Sequence, residues 1–536
     1  MNRRPLLKER TSGAIECPLC GTCVRRSLRL HIVRAHGEEE FRKVILAEER
    51  RGTPDEEIGQ RYGVSFGTIQ QLVTETYGAN VSSLRARKRI KRWQPAHFRE
   101  ETTTVWSFRQ RGDWATHDGR YRGNWSPYIP RNVILKYSKP GEVVLDYFVD
   151  GGTTAVEAKL LGRRCVARDI NPSAISMTIE NLNFSVPPSF FGEALPHMFE
   201  PQVSVGDARA LSDIRDATID LVCAHPPYAG IIQYSTRIPG DLSMLSIGEF
   251  LTEMRKVAME SMRVLKPGGK CAILIGDARK DRRVVPIGFS TIGVFLEAGF
   301  GLRELVIKRQ HNCKTTGFWY TRSIQHNFLL LAHEYLPIFE KPPAKRVAEQ
   351  GSLWADIPAR WRADVTEVPK IGDENLETTT VWIFPEERIE SETRRNLLRR
   401  FGMAGGAFSE VVCDGGRDAG LPESHERIGV LYVDHASQQD LSAFGRYRAA
   451  LRNIVTQSRQ ALAPGSCLVI RARDFRAANR LVPAGFLVWK DMDQRQDFRL
   501  REIIIVAPEQ AERAEGGEQL SIVHSYLLVY EKTDTE

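Results

Sequence analysis

The run Ile219-Asp-Leu-Val-Cys-Ala-His225-Pro226-Pro227-Tyr228 leads an apolar strand into an imidazole, two prolines and a phenol. Two adjacent prolines fix the backbone and remove two N–H donors. Carbonyls at such a bend can accept hydrogen bonds from an exocyclic amino group, and Tyr228 can stack on the ring that carries it. Alkylating an aryl amine requires its lone pair to be drawn out of ring conjugation, and acceptors aimed at its protons do this. A neutral imidazole has one acceptor nitrogen, so His225 either contacts the amine and takes its proton or only holds the loop. The nearest thiol, Cys223, lies on the strand and reads as core, which argues against a covalent route through cysteine. A pocket this tight admits a nucleobase only after the base has left its duplex.

A second constellation lies upstream. Gly141–Asp146 is a short apolar run ending in a carboxylate, followed by Tyr147-Phe148-Val-Asp150-Gly-Gly152-Thr153-Thr and then a helical pattern to Gly162. Arg164–Asp169 is a second strand ending in an acid, and Gln202–Val205 a third, closed by Gly206-Asp207. Strand, tight turn, helix, strand and acid is the plan of a nucleotide-binding βαβ unit, with ligand at the carboxyl ends of the strands. Asp146, Asp169 and Asp207 could then meet the amino-acid, ribose and adenine portions of one ligand. A doubly wound enzyme using another nucleotide shares this plan.

Taken with the proline loop, the chain resembles the amino-directed DNA methyltransferases, the N6-adenine and N4-cytosine group, over roughly residues 100–341. The motifs carrying the resemblance are Gly123-Asn124-Trp125-Ser-Pro-Tyr-Ile-Pro130, Leu145–Thr154, Asp169-Ile-Asn-Pro172, the loop itself, and Arg263-Val-Leu-Lys-Pro-Gly-Gly269 with Cys271–Asp277. It implies S-adenosylmethionine as methyl donor, held by Asn124, Trp125, Asp146, Phe148, Gly152, Thr153, Asp169 and Asp207. It also implies catalysis at His225, Pro226, Pro227 and Tyr228. The chain departs from the family pattern at Asp150, which replaces a glycine of the donor turn and brings negative charge towards the donor's carboxylate. It departs again at His225, where the family has Asp, Asn or Ser, and this favours cytosine slightly over adenine.

The net charge of +8 belongs to one end: the first hundred residues hold 20 Lys and Arg against 12 Asp and Glu, and the other 436 hold 55 of each. Its densest part is Arg85, Arg87, Lys88, Arg89, Lys91 and Arg92, a block suited to a phosphate backbone, though a solvated linker has the same composition. Cys17, Cys20, His31 and His36 have the spacing C-x2-C-x10-H-x4-H of a structural Zn2+ site, with Cys23 as a spare thiol. This segment resembles the single fingers of Ros/MucR-type regulators. Thr53 with Glu56, Gly63 and Ser65 predict two short helices across a turn, a helix-turn-helix candidate. His311–Tyr320, a polar stretch ending in three aromatics, reads either as a loop against DNA or as an edge strand.

Glu101-Thr-Thr-Thr-Val-Trp106 recurs as Glu377–Trp382, 276 positions later. Leu265-Lys-Pro-Gly, Gly276-Asp-Ala-Arg, Phe300–Glu304 and His326 recur near Leu462, Arg473, Phe498 and His524 at offsets of 197 or 198, so the second copy lacks about 78 residues of the first. No proline loop or glycine turn survives in it, and its counterpart of the loop falls near Leu431–Ala436.

The expected fold is α/β: a Rossmann-like S-adenosylmethionine-dependent methyltransferase fold, a small α-rich N-terminal DNA-binding region, and a degenerate second methyltransferase-like domain. The expected boundaries are a finger at 1–37, a helix-turn-helix and basic segment at 38–98, a catalytic domain at 99–343, a linker at 344–376 and the repeat at 377–536. The expected substrate is double-stranded DNA, with a restriction endonuclease as possible partner. No segment is apolar enough to span a membrane and no signal peptide is visible, so a cytoplasmic, nucleoid-associated protein is expected. Alternatives are a transcription regulator with an inactive methyltransferase body, or an RNA base methyltransferase.

Overall fold

The computed structural model describes residues 15–24, 27–50, 53, 55–65, 68–69, 72, 88–117, 119, 121, 123–185, 197–229, 238–311, 316–343, 362–364, 376–403, 406–413, 427–435, 440–477, 480–510 and 519–533. The chain divides into two compact units. The first holds residues 1–98, 112–211 and 235–241, and the second holds 99–111, 212–234 and 242–536.

In the first unit, a two-stranded hairpin (Ile15–Glu16 with Cys23–Val24) precedes helix α1 (Leu28–His36), which Ser27 caps and Gly37 ends at φ +93. Helix α2 (Glu38–Arg50) begins with three glutamates, which suit the positive end of the helix dipole, and buries Phe41, Val44 and Ile45 along one stripe. Helix α3 (Asp55–Tyr62) ends at Gly63, φ +67. The expected turn is therefore present, and the helix after it is described at residues 68, 69 and 72. Thr53 donates its hydroxyl to Glu48 at 2.9 Å, and Tyr62 reaches the same carboxylate at 2.8 Å. Glu48 thus ties α3 to α2, a helix that the sequence reading left unassigned.

The larger part of this unit is a parallel sheet with order β1 (Val143–Asp146), β2 (Arg164–Asp169), β3 (Gln202–Val205). Helix α4 (Tyr128–Tyr137) precedes β1. Helix α5 (Thr153–Leu160) joins β1 to β2, and α6 (Pro172–Leu182) joins β2 to β3, capped by Asn171 with proline at its first position. Every residue of α5 is buried.

The second unit contains two sheets built on one plan. In the first, β4 (Ile219–Ala224) and β5 (Leu265–Ile273) are parallel, and β7 (His333–Glu340) runs antiparallel between β5 and β6 (Gly301–Arg309). The hexapeptide strand Val105–Ser107 lies parallel to β6 at the edge. Helices α7 (Ile247–Val264) and α8 (Ile287–Glu297) make the connections, α7 opening on a Ser246–Glu249 capping box. Helix α9 (Thr316–Gln325) then leads to β7.

In the second sheet, β8 (Ala407–Cys413), β9 (Ile428–His435) and β10 (Leu462–Ala472) are parallel. Strand β12 (Ser525–Lys532) runs antiparallel between β10 and β11 (Phe498–Pro508), and the second hexapeptide strand, Val381–Phe384, edges β11. Helices α10 (Ile389–Phe401), α11 (Leu441–Ala461) and α12 (Ala484–Asp493) complete the copy. Arg362–Asp364, inside the stretch expected as linker, pairs antiparallel with Glu410–Val412.

An antiparallel strand, β7, set between β5 and β6 is the arrangement expected of the Rossmann-like methyltransferase fold. The repeated copy keeps that hairpin in full. The structure shifts one expected equivalence. The partner of His524 is His333 rather than His326, because α9 lengthens the first copy just before β7.

Candidate functional site

The residues expected on the donor side lie in the first unit. Asp146 ends β1 with its carboxyl buried and accepts the Phe148 N–H at 3.1 Å. Burial pushes its pKa up to about 7 against the hydrogen bond from Phe148, and Asp169 adds to the rise. Asp169 ends β2, is also buried, and accepts from the backbone of Asn171 at 2.8 Å and Asp150 at 3.2 Å. Burial raises it likewise to about 7.

The turn between them is tight. Asp150 adopts φ +51, its N–H serves Asp169, and its carbonyl accepts from Thr178 at 3.2 Å. Gly152 stands at φ +84, where an added Cβ would lie 2.9 Å from Thr178. At Gly151 a Cβ would lie 2.9 Å from the amide nitrogen of Asn124. Thr153 donates to that side chain's oxygen at 2.6 Å, so the Asn124-Trp125 segment is latched to the turn. Asp207 accepts a forked pair of bonds from Arg209, at 2.9 and 2.6 Å.

A hub that the sequence reading missed lies behind this turn. Glu157 on α5 accepts from Trp114 at 2.6 Å and Arg131 at 2.8 Å, and lies 2.6 Å from His117. Burial alone would raise this carboxyl, but the His117 hydrogen bond and the Arg131 charge hold it below the ordinary carboxylate range. Trp114, His117 and Arg131, which flank Asn124 and Trp125 in sequence, are thereby tied to helix α5. A glutamate amid buried apolar helix positions was the only local sign.

The loop residues lie in the second unit. Strand β4 ends at Ala224, and Cys223 is fully buried in it as expected. Beyond it Nε2 of His225 lies 3.0 Å from the Tyr228 hydroxyl, which donates to Glu334 Oε1 at 2.7 Å. Lys308 donates to Oε2 of the same carboxylate at 2.7 Å. The Tyr228 ring lies over Gly276, where a Cβ would come within 3.1 Å. Burial works to raise Glu334, but the Lys308 ammonium and the surrounding donors hold it down at about 2. Burial lowers His225 to about 4, with Glu334 opposing and Lys308 adding to the fall.

The bond from the Tyr228 hydroxyl to Glu334 orders the protons along this chain. Glu334 is ionised, so the single phenolic proton of Tyr228 points at it. His225 is neutral near pH 7, and its Nε2 must then carry the hydrogen given to the phenol oxygen. Nδ1 is left as the ring's acceptor nitrogen.

The second copy fills the corresponding place. By strand register, Asp434 stands where His225 stands in the first copy. Its carboxylate is clasped by Arg473 at 2.8 Å and Arg471 at 3.3 Å.

Among the described residues, Cys17, Cys20, His31 and His36 have ligand atoms within 4.8 Å of one another. Cys17 Sγ lies 3.8 Å from His36 Nε2, and Cys20 Sγ 3.4 Å from His31 Nε2. These lengths bracket the sulfur–nitrogen edge of about 3.6 Å for a zinc tetrahedron. Cys23 lies outside this set, on the hairpin strand. In the basic block, Arg85 and Arg87 lie outside the described residues. Lys88 and Arg89 form a strand paired with Phe184–Ser185, Lys88 reaches Glu180 at 3.3 Å, and Arg92 pairs with Asp113. The aromatic stretch is neither a loop nor an edge strand at its described end. Trp319 and Tyr320 lie on α9, 41% and 46% exposed.

Residues 69–180 match a family model described as DNA methylase. The type II methyltransferase M.MthZI of Methanothermobacter thermautotrophicus is 28% identical over 149 residues, covering 24% of this chain and 42% of that protein. The chain therefore spans about two fifths of the length of that curated relative. Among solved structures, a SAM-dependent methyltransferase of Methanosarcina mazei is 14% identical with a TM-score of 0.27, covering 39% of this chain and 97% of that one. TrmN from Thermus thermophilus is 20% identical with a TM-score of 0.25, covering 41% and 50%.

Proposed function

We propose that the chain transfers a methyl group from S-adenosylmethionine to the exocyclic amino group of a base extruded from duplex DNA, cytosine N4 being favoured over adenine N6. The observation that carries this is the bond order His225–Tyr228–Glu334, which makes Nδ1 of a neutral imidazole the acceptor on a diproline bend. The DNA methylase match over residues 69–180 supports the substrate class. The type II relative supports a restriction endonuclease reading the same site.

The residues present fit the donor: two buried acids at neighbouring strand ends, a turn with no room for a Cβ, and a capping segment latched to it. Asp146, Phe148, Gly152, Thr153, Asn124 and Trp125 would hold its methionine part, and Asp169 and Asp207 its nucleoside. When bound, it supplies an electrophilic methyl on a sulfonium. His225, whose Nδ1 is buried before a base enters, would accept a proton of the target amine and so direct the lone pair outward, and the proline-loop carbonyls would accept the other.

Sequencing that reads methylated bases, applied to DNA from cells expressing the chain and from cells expressing His225→Ala, tests this. A modified base at a fixed context in the first and absent in the second is expected. An unmodified genome in both overturns it.

Donor binding should depend on pH. The donor's ammonium needs ionised Asp146, whose pKa is about 7 without ligand. Affinity should therefore be about tenfold weaker at pH 6 than at pH 8. Titration calorimetry in buffers of differing ionisation enthalpy would read both the affinity and the released proton. A flat affinity across that range removes Asp146 from the ammonium site.

We also infer that Cys17, Cys20, His31 and His36 hold a structural zinc ion. Native mass spectrometry should find one zinc per chain, lost in Cys20→Ser. A metal-free wild-type chain purified with zinc in the buffer would refute the site. Exposed Arg89 and Lys91, with Arg29 and Arg34 of the finger, supply positive charge for the duplex.

A further inference from the structure

The second copy lacks the proline loop and the glycine turn, yet it holds the strand that carries Glu334. Leu329 N–H donates to Glu502 at 3.1 Å and Leu330 N–H to the Thr378 carbonyl at 2.8 Å. Thr380 N–H returns to the Leu330 carbonyl at 2.9 Å. The Thr380 hydroxyl accepts from Ala332 N–H at 3.1 Å and lies 2.9 Å from His333 Nδ1. His333 Nε2 meets the Tyr335 hydroxyl at 3.0 Å, and that hydroxyl donates to Asp277 at 3.1 Å. Glu334 lies between His333 and Tyr335. Successive strand residues face opposite ways, so the His333–Tyr335 face is gripped by the repeat while Glu334 faces Tyr228 and Lys308.

The grip is reciprocal. Thr104, from the first hexapeptide, lies 2.8 Å from His524 Nδ1, His524 Nε2 lies 2.9 Å from the Tyr526 hydroxyl, and Tyr526 donates to Asp474 at 3.2 Å. In that arm the residue between the histidine and the tyrosine is Ser525, which accepts from Arg471. Two matching clasps therefore exist, and only one leads to an acid bonded to the loop.

We propose that Thr380 is a positioning residue for the catalytic loop. Through His333 it sets the register of β7, hence the place of Glu334, hence the direction of the Tyr228 proton and the tautomer of His225. The degenerate copy acts as a fixed support for the reacting end of the other. This rests on the function proposed above, in which His225 is the proton acceptor.

Thr380→Val keeps the volume and removes the hydroxyl, and Thr104→Val does the same in the arm without chemistry. Thr380→Val should lower kcat about tenfold to a hundredfold while donor affinity by calorimetry stays unchanged, and Thr380→Ser should restore the rate. Thr104→Val should shift the unfolding midpoint by a similar amount and keep the wild-type kcat. Ring 15N shifts of His225, in protein labelled at histidine and assigned with His225→Ala, should change in Thr380→Val and not in Thr104→Val. Equal losses in both variants, or unmoved His225 signals in Thr380→Val, would overturn the proposal. The ring shifts need no turnover, so a wild-type protein that transfers no methyl group would defeat the proposed function while the positioning role is still decided.

Discussion

His225→Ala is expected to reduce kcat for methyl transfer by about 10²- to 10⁴-fold, the range for loss of a positioned proton acceptor. Donor affinity should not change, because the donor-side acids are held by bonds that do not involve His225. The pH profile carries the sharper signature. Neutral imidazole is the working form, and burial places its pKa at about 4. At saturating donor, kcat should be level from about pH 5 to 8 and fall only as the solution becomes more acid than pH 4. Measured with short duplexes and tritiated donor, a break near 6.5 would mean a solvated histidine outside the Tyr228–Glu334 chain. An alanine variant within threefold of wild type would leave His225 as a loop support only.

The second large effect concerns stability. Arg279 reaches Glu502 across the two copies at 2.6 and 2.9 Å, and Glu502 is fully buried. The equivalent residues in the opposite direction, Arg476 and Glu304, form the matching pair. Glu502→Ala strands one guanidinium and also frees Leu329 N–H. Removing one partner of such a buried pair costs about 3–5 kcal/mol, which urea denaturation should register as a clear fall in midpoint. The double variant Arg279→Met with Glu502→Leu should recover most of the loss, because no isolated charge remains. A midpoint unchanged in Glu502→Ala would show the interlock to be open to water.

The parts legible in the sequence are those whose members lie within a few positions of one another. The His225–Tyr228 loop, the acids ending β1 and β2 and the Cys17–His36 cluster all declare themselves by spacing. Glu334 does not. It is 106 residues from Tyr228, and its neighbours read as an ordinary buried strand. Its role follows from an antiparallel pairing that local pattern does not encode. The repeated hexapeptide was visible as a repeat, but that each copy's threonine serves the other copy's histidine depends on contacts 47 and 420 positions apart. Glu157 was hidden for the opposite reason, as a single acid inside an apolar helix whose partners come from the segment 114–131. Helix α2 was within reach of pattern reading, since three leading glutamates and the stripe Phe41, Val44, Ile45 are the usual signs of a helix start and a core face.

The two clasps have a consequence for how a target would be marked. Their contacts are isologous, each half giving the other what it receives, as across a twofold axis. Duplex DNA has a local dyad of its own, so such a frame could meet it equally well in either direction. With Asp434 locked by arginines where the other copy offers an imidazole, the symmetry stops at the frame. If the chain transfers methyl groups to DNA as proposed above, one landing would modify one strand of a symmetric site, and finishing the complement would take release and a second landing in the reverse sense.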